Sequence, residues 1–169
     1  MTERLLQYIW QFQYFNRAQL VTTRGEAVDI IFPGTKNHNQ GPDFLAARIK
    51  INNTVLVGSV ELHLQTSEWK RHGHSADENY KNVVLHVVLE DDVAALNDIP
   101  VLELNHRIPK LLLDKYEALM EQQTFVPCAA TMAQVNNLTW QGWKERLAAE
   151  RLVRKSKGIL DVLKKAATT

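Results

Sequence analysis

The sequence predicts an α/β domain, a mixed β-sheet flanked by helices, followed by a C-terminal helical extension. Three observations carry this. Two strand-like runs, Phe44–Ile51 and Thr54–Gln65, meet at Asn52-Asn53, a dipeptide suited to a tight antiparallel hairpin. A polar, partly helical stretch, Thr66–Asn82, leads from them into Val83–Leu89, whose apolar, β-branched side chains suit a central strand covered on both faces. A hairpin followed by such a crossover gives a sheet with both antiparallel and parallel neighbours, and helices on its faces.

The remaining elements follow in order. Thr2 is an N-cap candidate with Glu3 in the first turn, and Leu5, Ile9 and Phe12 recur at helical spacing. Tyr8 and Phe15 widen that stripe, and the helix is expected to end near Asn16. Val28–Phe32 reads as a strand stopped by Pro33-Gly34, and Thr35–Gly41 as a polar loop. Val101–Asn105 is a further strand, and Pro109–Met120 a helix with proline at its start. Gln122–Asn137 has no clear period. Leu138–Lys165 reads as one long helix with Trp143, Leu147, Leu152, Ile159 and Leu163 on one side. The expected division is an α/β domain over residues 1–120, then a linker and helical extension over 121–169.

Composition narrows the setting. With 169 residues, 45% of them hydrophobic, the chain can bury a core without disulfides or a structural metal. The single cysteine, Cys128, has no partner for an internal disulfide, which fits a reducing compartment. No apolar run approaches the ~20 residues of a membrane span, and the N-terminus does not read as a signal peptide. The expectation is a cytoplasmic protein with no membrane partner. A net charge of +1 is neutral on nucleic acid, but Lys144, Arg146, Arg151, Arg154, Lys155, Lys157, Lys164 and Lys165 outweigh Glu145, Glu150 and Asp161 at the C-terminal end. Such an excess either meets phosphates or forms a solvated face.

The chemistry-bearing residues gather in the hairpin. Asp43 follows Pro42 at the start of one strand, and Glu61 and His63 share a face of the other, because alternate side chains point the same way. Pairing of the two strands brings Asp43 towards Glu61, and neighbouring carboxylates repel unless a cation or a proton lies between them. Oxygen-rich sites of this kind favour Mg²⁺ or Mn²⁺. His63 then orients or deprotonates a water, with Gln65 one step further along as a hydrogen-bonding neighbour. The plainer reading makes Asp43 an Asx-type turn residue, and Glu61 and His63 the polar face of an edge strand.

His72, His74 and Asp77 form a second cluster, which lacks a definite fourth ligand for zinc. Its expected role is to lend His74 or Asp77 to the Asp43–Glu61 site. His86, inside the apolar strand, is either a hydrogen-bonded core histidine or a further group aimed at that site. No phosphate-binding loop, nucleophile elbow, paired-cysteine motif or dinucleotide fingerprint occurs.

Several segments together resemble an uncharacterised bacterial family, the domain of unknown function 2851 family. They are Tyr8-Ile9-Trp10, Asn39-Gln40-Gly41-Pro42-Asp43-Phe44, Gly58-Ser59-Val60-Glu61-Leu62-His63, Ser67-Glu68-Trp69, His72-Gly73-His74, Asp77, and the run from Tyr80 to Val88. The resemblance is strong over residues 1–90 and loose beyond, and it implies that this chain corresponds to the N-terminal part of longer relatives. The pattern is also similar to the PD-(D/E)XK phosphodiesterase superfamily, with its restriction-endonuclease-like α-β-β-β-α-β core. That resemblance implies Mg²⁺ or Mn²⁺ on Asp43 and Glu61, with Glu26 or Asp29 as an additional acid. His63 stands where the superfamily carries a lysine. An imidazole supplies no permanent positive charge there, so it acts as base or ligand, or the site is inactive.

The function expected from these readings is metal-dependent phosphodiester hydrolysis in nucleic acid. Asp43, Glu61 and His63 are its catalytic residues, with Gln65, His74, Asp77 and His86 around the substrate. The alternatives are an inactive relative that binds nucleic acid or a protein, and a hydrolase of another substrate centred on His72, His74 and Asp77.

Overall fold

The computed structural model describes residues 1–93, 98–121 and 129–166; Cys128 lies outside them. Helix α1 runs Glu3–Phe12 and starts on Thr2, whose hydroxyl accepts the Leu5 N–H at 3.3 Å. It stops short of Asn16 because Gln13 adopts a left-handed conformation and turns its N–H back onto the last turn. The buried face is Leu5, Leu6, Ile9 and Trp10. Tyr8 and Phe12, expected in that stripe, are instead exposed and pack on one another and on Tyr14. Trp10 is fully buried because the indole N–H donates to the Pro33 carbonyl at 3.0 Å, leaving no polar group unpaired.

Six strands follow: β1 (Val28–Phe32), β2 (Thr35–Lys36), β3 (Phe44–Ile51), β4 (Thr54–Gln65), β5 (Val83–Glu90) and β6 (Val101–Glu103). They form a mixed sheet in the order β1-β3-β4-β5-β6, with β2 beside the start of β3. The polar stretch Thr35–Gly41 thus contains one short strand. The pairs β1·β3 and β3·β4 are antiparallel, while β4·β5 and β5·β6 are parallel. Asn52, at φ +51°, turns the hairpin. Between β4 and β5 lie helix α2 (Glu68–Arg71) and two 3₁₀ turns, His74–Ala76 and Glu78–Tyr80.

One face of the sheet carries Ile30, Phe44, Ile49, Val60, Leu62, Leu85, Val87 and Leu102 into a core closed by α1. The opposite face of β4 carries Glu61 and His63, which are also buried. Their cover is the crossover, which lands so closely on β4 that Ser59 N–H bonds the Asn82 carbonyl at 2.7 Å. A Cβ at Gly58 would stand 2.5 Å from that carbonyl oxygen, so only glycine fits there.

The chain divides into two units, Met1–Tyr116 and Glu117–Thr169, with the division inside α3 (Lys110–Glu121). The second unit contains α4 (Ala129–Met132) and α5 (Asn137–Ala166). The expected single apolar side of α5 does not form. At about 100° per residue, Trp143 and Leu147 fall on one side and Leu152, Ile159 and Leu163 on nearly the opposite one. All five are exposed.

Candidate metal centre

Strand β4 runs further than its partner β3. Beyond the Phe44–Val60 pair no strand among the described residues meets the β3 side of β4, and carboxylates take over the ladder. Asp43 Oδ2 accepts the Leu62 N–H at 3.1 Å, and Glu68 Oε2 accepts the Leu64 N–H at 2.9 Å. Gln7, from α1, donates to Asp43 Oδ1 at 2.7 Å. The loop before Asp43 is fixed by Asn37, whose amide donates to the carbonyls of Gln40 and Pro42. The Asp43 N–H in turn donates to Glu61 Oε2 at 2.9 Å. One oxygen of Glu61 is therefore pinned by main chain, and the other, Oε1, is turned towards imidazoles.

Those imidazoles come from three places. His63 lies two residues along the same face of β4, and His72 and His74 come from the crossover on either side of Gly73, which has φ +73°. His63 Nε2 stands 3.1 Å from His72 Nδ1, 3.3 Å from His74 Nε2 and 3.6 Å from Glu61 Oε1. His74 Nε2 stands 3.4 Å from the same carboxylate oxygen. The three ring nitrogens all lie within 4.8 Å of one another. On its far side His63 Nδ1 meets His86 Nε2 at 2.8 Å, across from β5. Trp69, almost fully buried, backs the group by packing on His63, His74 and His86, and Tyr80 stacks on His74 with ring centroids 3.8 Å apart. Trp69, His74 and Tyr80 also border a cleft of about 340 Å³ that continues past Lys81 and Asp98.

Electrostatics follows from burial. Desolvation, with Asp43 adding to it, pushes the Glu61 carboxyl up to about 9, and burial pushes Asp43 up to about 6 against the pull of the Leu62 N–H. Burial, reinforced by the neighbouring rings, holds His63 down to about 3 and His86 to about 4, and His74 is lowered in the same way. Burial and the adjacent carboxylates raise the Tyr80 phenol to about 12. At neutral pH His63, His74 and His86 are therefore uncharged, each with one nitrogen lone pair.

The separations have a geometric counterpart. Four ligands at the 2.0–2.1 Å bond lengths of a tetrahedral zinc-type ion stand about 3.3–3.4 Å apart, and six around Mg²⁺ about 2.9–3.0 Å. Four of the six separations such a set requires, from 3.1 to 3.6 Å, lie around the tetrahedral value; the ring nitrogens span up to 4.8 Å, so His72 and His74 have to draw together for one ion to bind both.

The chain matches, over residues 3–169, the family model described as Protein of unknown function (DUF2851). It belongs to that family. No match was found among curated proteins or among solved structures. The DUF2851 match extends well past the first 90 residues, in which the sequence reading concentrates the resemblance.

Not all the residues singled out from the sequence converge in this DUF2851 chain. Glu61, His63, His74 and His86 come together, and His72 joins them, so the two clusters read separately from the sequence are one. Asp43 faces Gln7 and the β4 edge, and it is Glu61 that meets the imidazoles. Gln65 is exposed at the end of β4, and Asp77 caps the second 3₁₀ turn through Asn79. Glu26 accepts a bond from the Thr22 hydroxyl, and Asp29 is exposed on β1, a strand away from β4. Gln7 and Tyr80 carry no spacing signal that marks them; only the fold places them here.

Proposed function

We propose that this member of the family is a metal-dependent phosphodiesterase acting on nucleic acid, with its ion held by His63 Nε2, His72 Nδ1, His74 Nε2 and Glu61 Oε1. The observation that carries the reading is the gathering of His72 Nδ1, His74 Nε2 and Glu61 Oε1 within 3.1–3.6 Å of His63 Nε2, separations close to those of ligands around a tetrahedral ion. Three nitrogens and one oxygen favour Zn²⁺ or a similar transition metal over Mg²⁺, which prefers oxygen donors, and Mn²⁺ lies between. In this reading His63, at the position of the superfamily lysine, is a ligand. A restriction-endonuclease-like core is supported by the order α1, β1, β3, β4, crossover, β5, with β5 parallel to β4. The phosphodiester substrate rests on that resemblance.

A divalent ion at such a site supplies a Lewis acid for a phosphoryl oxygen and acidifies water. The chain's own groups do the rest. Asp43 N–H fixes the Glu61 carboxylate, Trp69 excludes water from behind the rings, and the neutral Tyr80 phenol is a hydrogen-bond donor beside the cleft. His72 is exposed, so solvent and substrate reach the group from its side.

A second reading has one specific observation in its favour: four protein donors can close a purely structural site. The test is to strip the protein with a chelator and add back Zn²⁺, Mn²⁺ or Mg²⁺, following cleavage of single- and double-stranded DNA and RNA alongside thermal unfolding. The proposal expects cleavage that returns with a transition metal and is lost in Glu61→Gln. Restored stability without cleavage supports the structural reading, and binding of nucleic acid without cleavage marks an inactive relative.

A further inference from the structure

His86 is the partner that the proposed ion would not touch. The ring sits on β5, opposite Glu61 in the parallel register, and is buried. Its backbone is held by the Pro100 carbonyl, which accepts the His86 N–H at 2.9 Å. The ring stands nearly perpendicular to that of His63, at 84°, which aims His86 Nε2 along the Nδ1 direction of its neighbour at 2.8 Å. Trp69 packs against both rings and holds them in this orientation.

A neutral imidazole carries one proton, so the contact has two forms. Either His63 Nδ1–H donates to His86 Nε2, leaving His63 Nε2 bare, or His86 donates and the His63 proton sits on Nε2. The second form points a proton into the space shared by His72 Nδ1, His74 Nε2 and Glu61 Oε1. Only the first presents a lone pair there.

We propose that His86 is a positioning residue that accepts the His63 Nδ1 proton and so fixes His63 in the tautomer whose Nε2 can bind a metal. The inference rests on the metal-site reading above and adds to it the group that sets the ligand's protonation. A ring whose outer nitrogen donates to a fixed acceptor is held in orientation and made a better donor to an ion. An imidazole fills this place where a carboxylate or carbonyl is more usual, and it brings no charge into the buried space behind the rings.

The test uses the full chain. Nitrogen-15 NMR of the histidine rings assigns the His63 proton in metal-free and Zn²⁺-loaded protein, and Zn²⁺ affinity is measured by chelator competition for wild type, His86→Phe and His86→Gln. The proposal expects the proton on Nδ1, a fall in affinity of about 10- to 100-fold in His86→Phe, and recovery to within a few-fold in His86→Gln, whose amide oxygen can accept. A His63 proton on Nε2, or a folded His86→Phe that binds Zn²⁺ as tightly as wild type, overturns it. If the wild type binds no ion, the metal reading fails, and the tautomer in the metal-free spectrum still decides the role of His86.

Discussion

The backbone N–H of Asp43 donates to Glu61 Oε2 at 2.9 Å, so the first acid of the hairpin holds the second through its main chain. The Asp43 side chain is engaged elsewhere, between Gln7 and the Leu62 N–H. The expected consequence is a split between the two acids. Asp43→Asn keeps Zn²⁺ affinity within about tenfold and lowers stability by about 1–3 kcal/mol, because an amide oxygen cannot serve both donors as a carboxylate does. Glu61→Gln lowers affinity far more. Isothermal calorimetry on the two variants checks this, and equal losses would assign Asp43 to the ion.

Removing one imidazole tests the donor set. His74→Ala and His63→Ala each lower Zn²⁺ affinity by more than about a hundredfold, beyond the range typical of an outer partner. Gln65→Ala and Asp77→Ala leave it unchanged, because neither side chain joins the group. Chelator competition reads all four.

The pH dependence of the metal-free protein has a defined sign. Glu61, raised from its ordinary 4.5 to about 9, gives stability that is full below 4.5 and is lost as pH rises towards 9. His63 and His86, lowered from 6.5 to about 3 and 4, give stability that is present above 6.5 and is lost as pH falls. Between pH 4.5 and 6.5 these trends oppose one another. From 6.5 to 9 the Glu61 trend remains, so stability falls by up to about 1.4 kcal/mol per pH unit. Urea unfolding of chelator-treated protein measures it, and Glu61→Gln is expected to flatten the curve over that window. A wild-type curve that rises towards pH 9 would contradict the buried, protonated carboxyl.

Gly58→Ala is expected to destabilise the first unit by about 3 kcal/mol, at the upper end for overpacking, because a Cβ there would meet both the Val84 side chain and the Asn82 carbonyl oxygen at 2.5 Å, and the second is backbone that cannot swing aside. Thermal unfolding checks it; a shift within error would mean that the crossover can lift off β4.

Much of this arrangement was legible in the residues, and the reasons are local. Period-two alternation in Thr54–Gln65 put Glu61 and His63 on one face, and a continuous apolar run marked β5. The sequence offered His74 or Asp77, and His86, to the Asp43–Glu61 site; that His72 also reaches His63 while Asp77 caps a turn depends on how a 17-residue crossover (Thr66–Asn82) folds back over its strand. That the Asp43 side chain meets Gln7 and the Leu62 N–H could not be read from the residues, because alternation says which way a side chain points, not which donor it takes. Trp10 was passed over for Phe12 because helical spacing alone cannot know that the Pro33 carbonyl waits for an indole N–H.

The overhang of β4 has a consequence for encounters between molecules. A strand that outruns its neighbour ordinarily presents a row of open donors, on which a segment of another chain can grow the sheet. Here Asp43 and Glu68 already occupy that row, and a newcomer would have to evict both acids before its first bond could form.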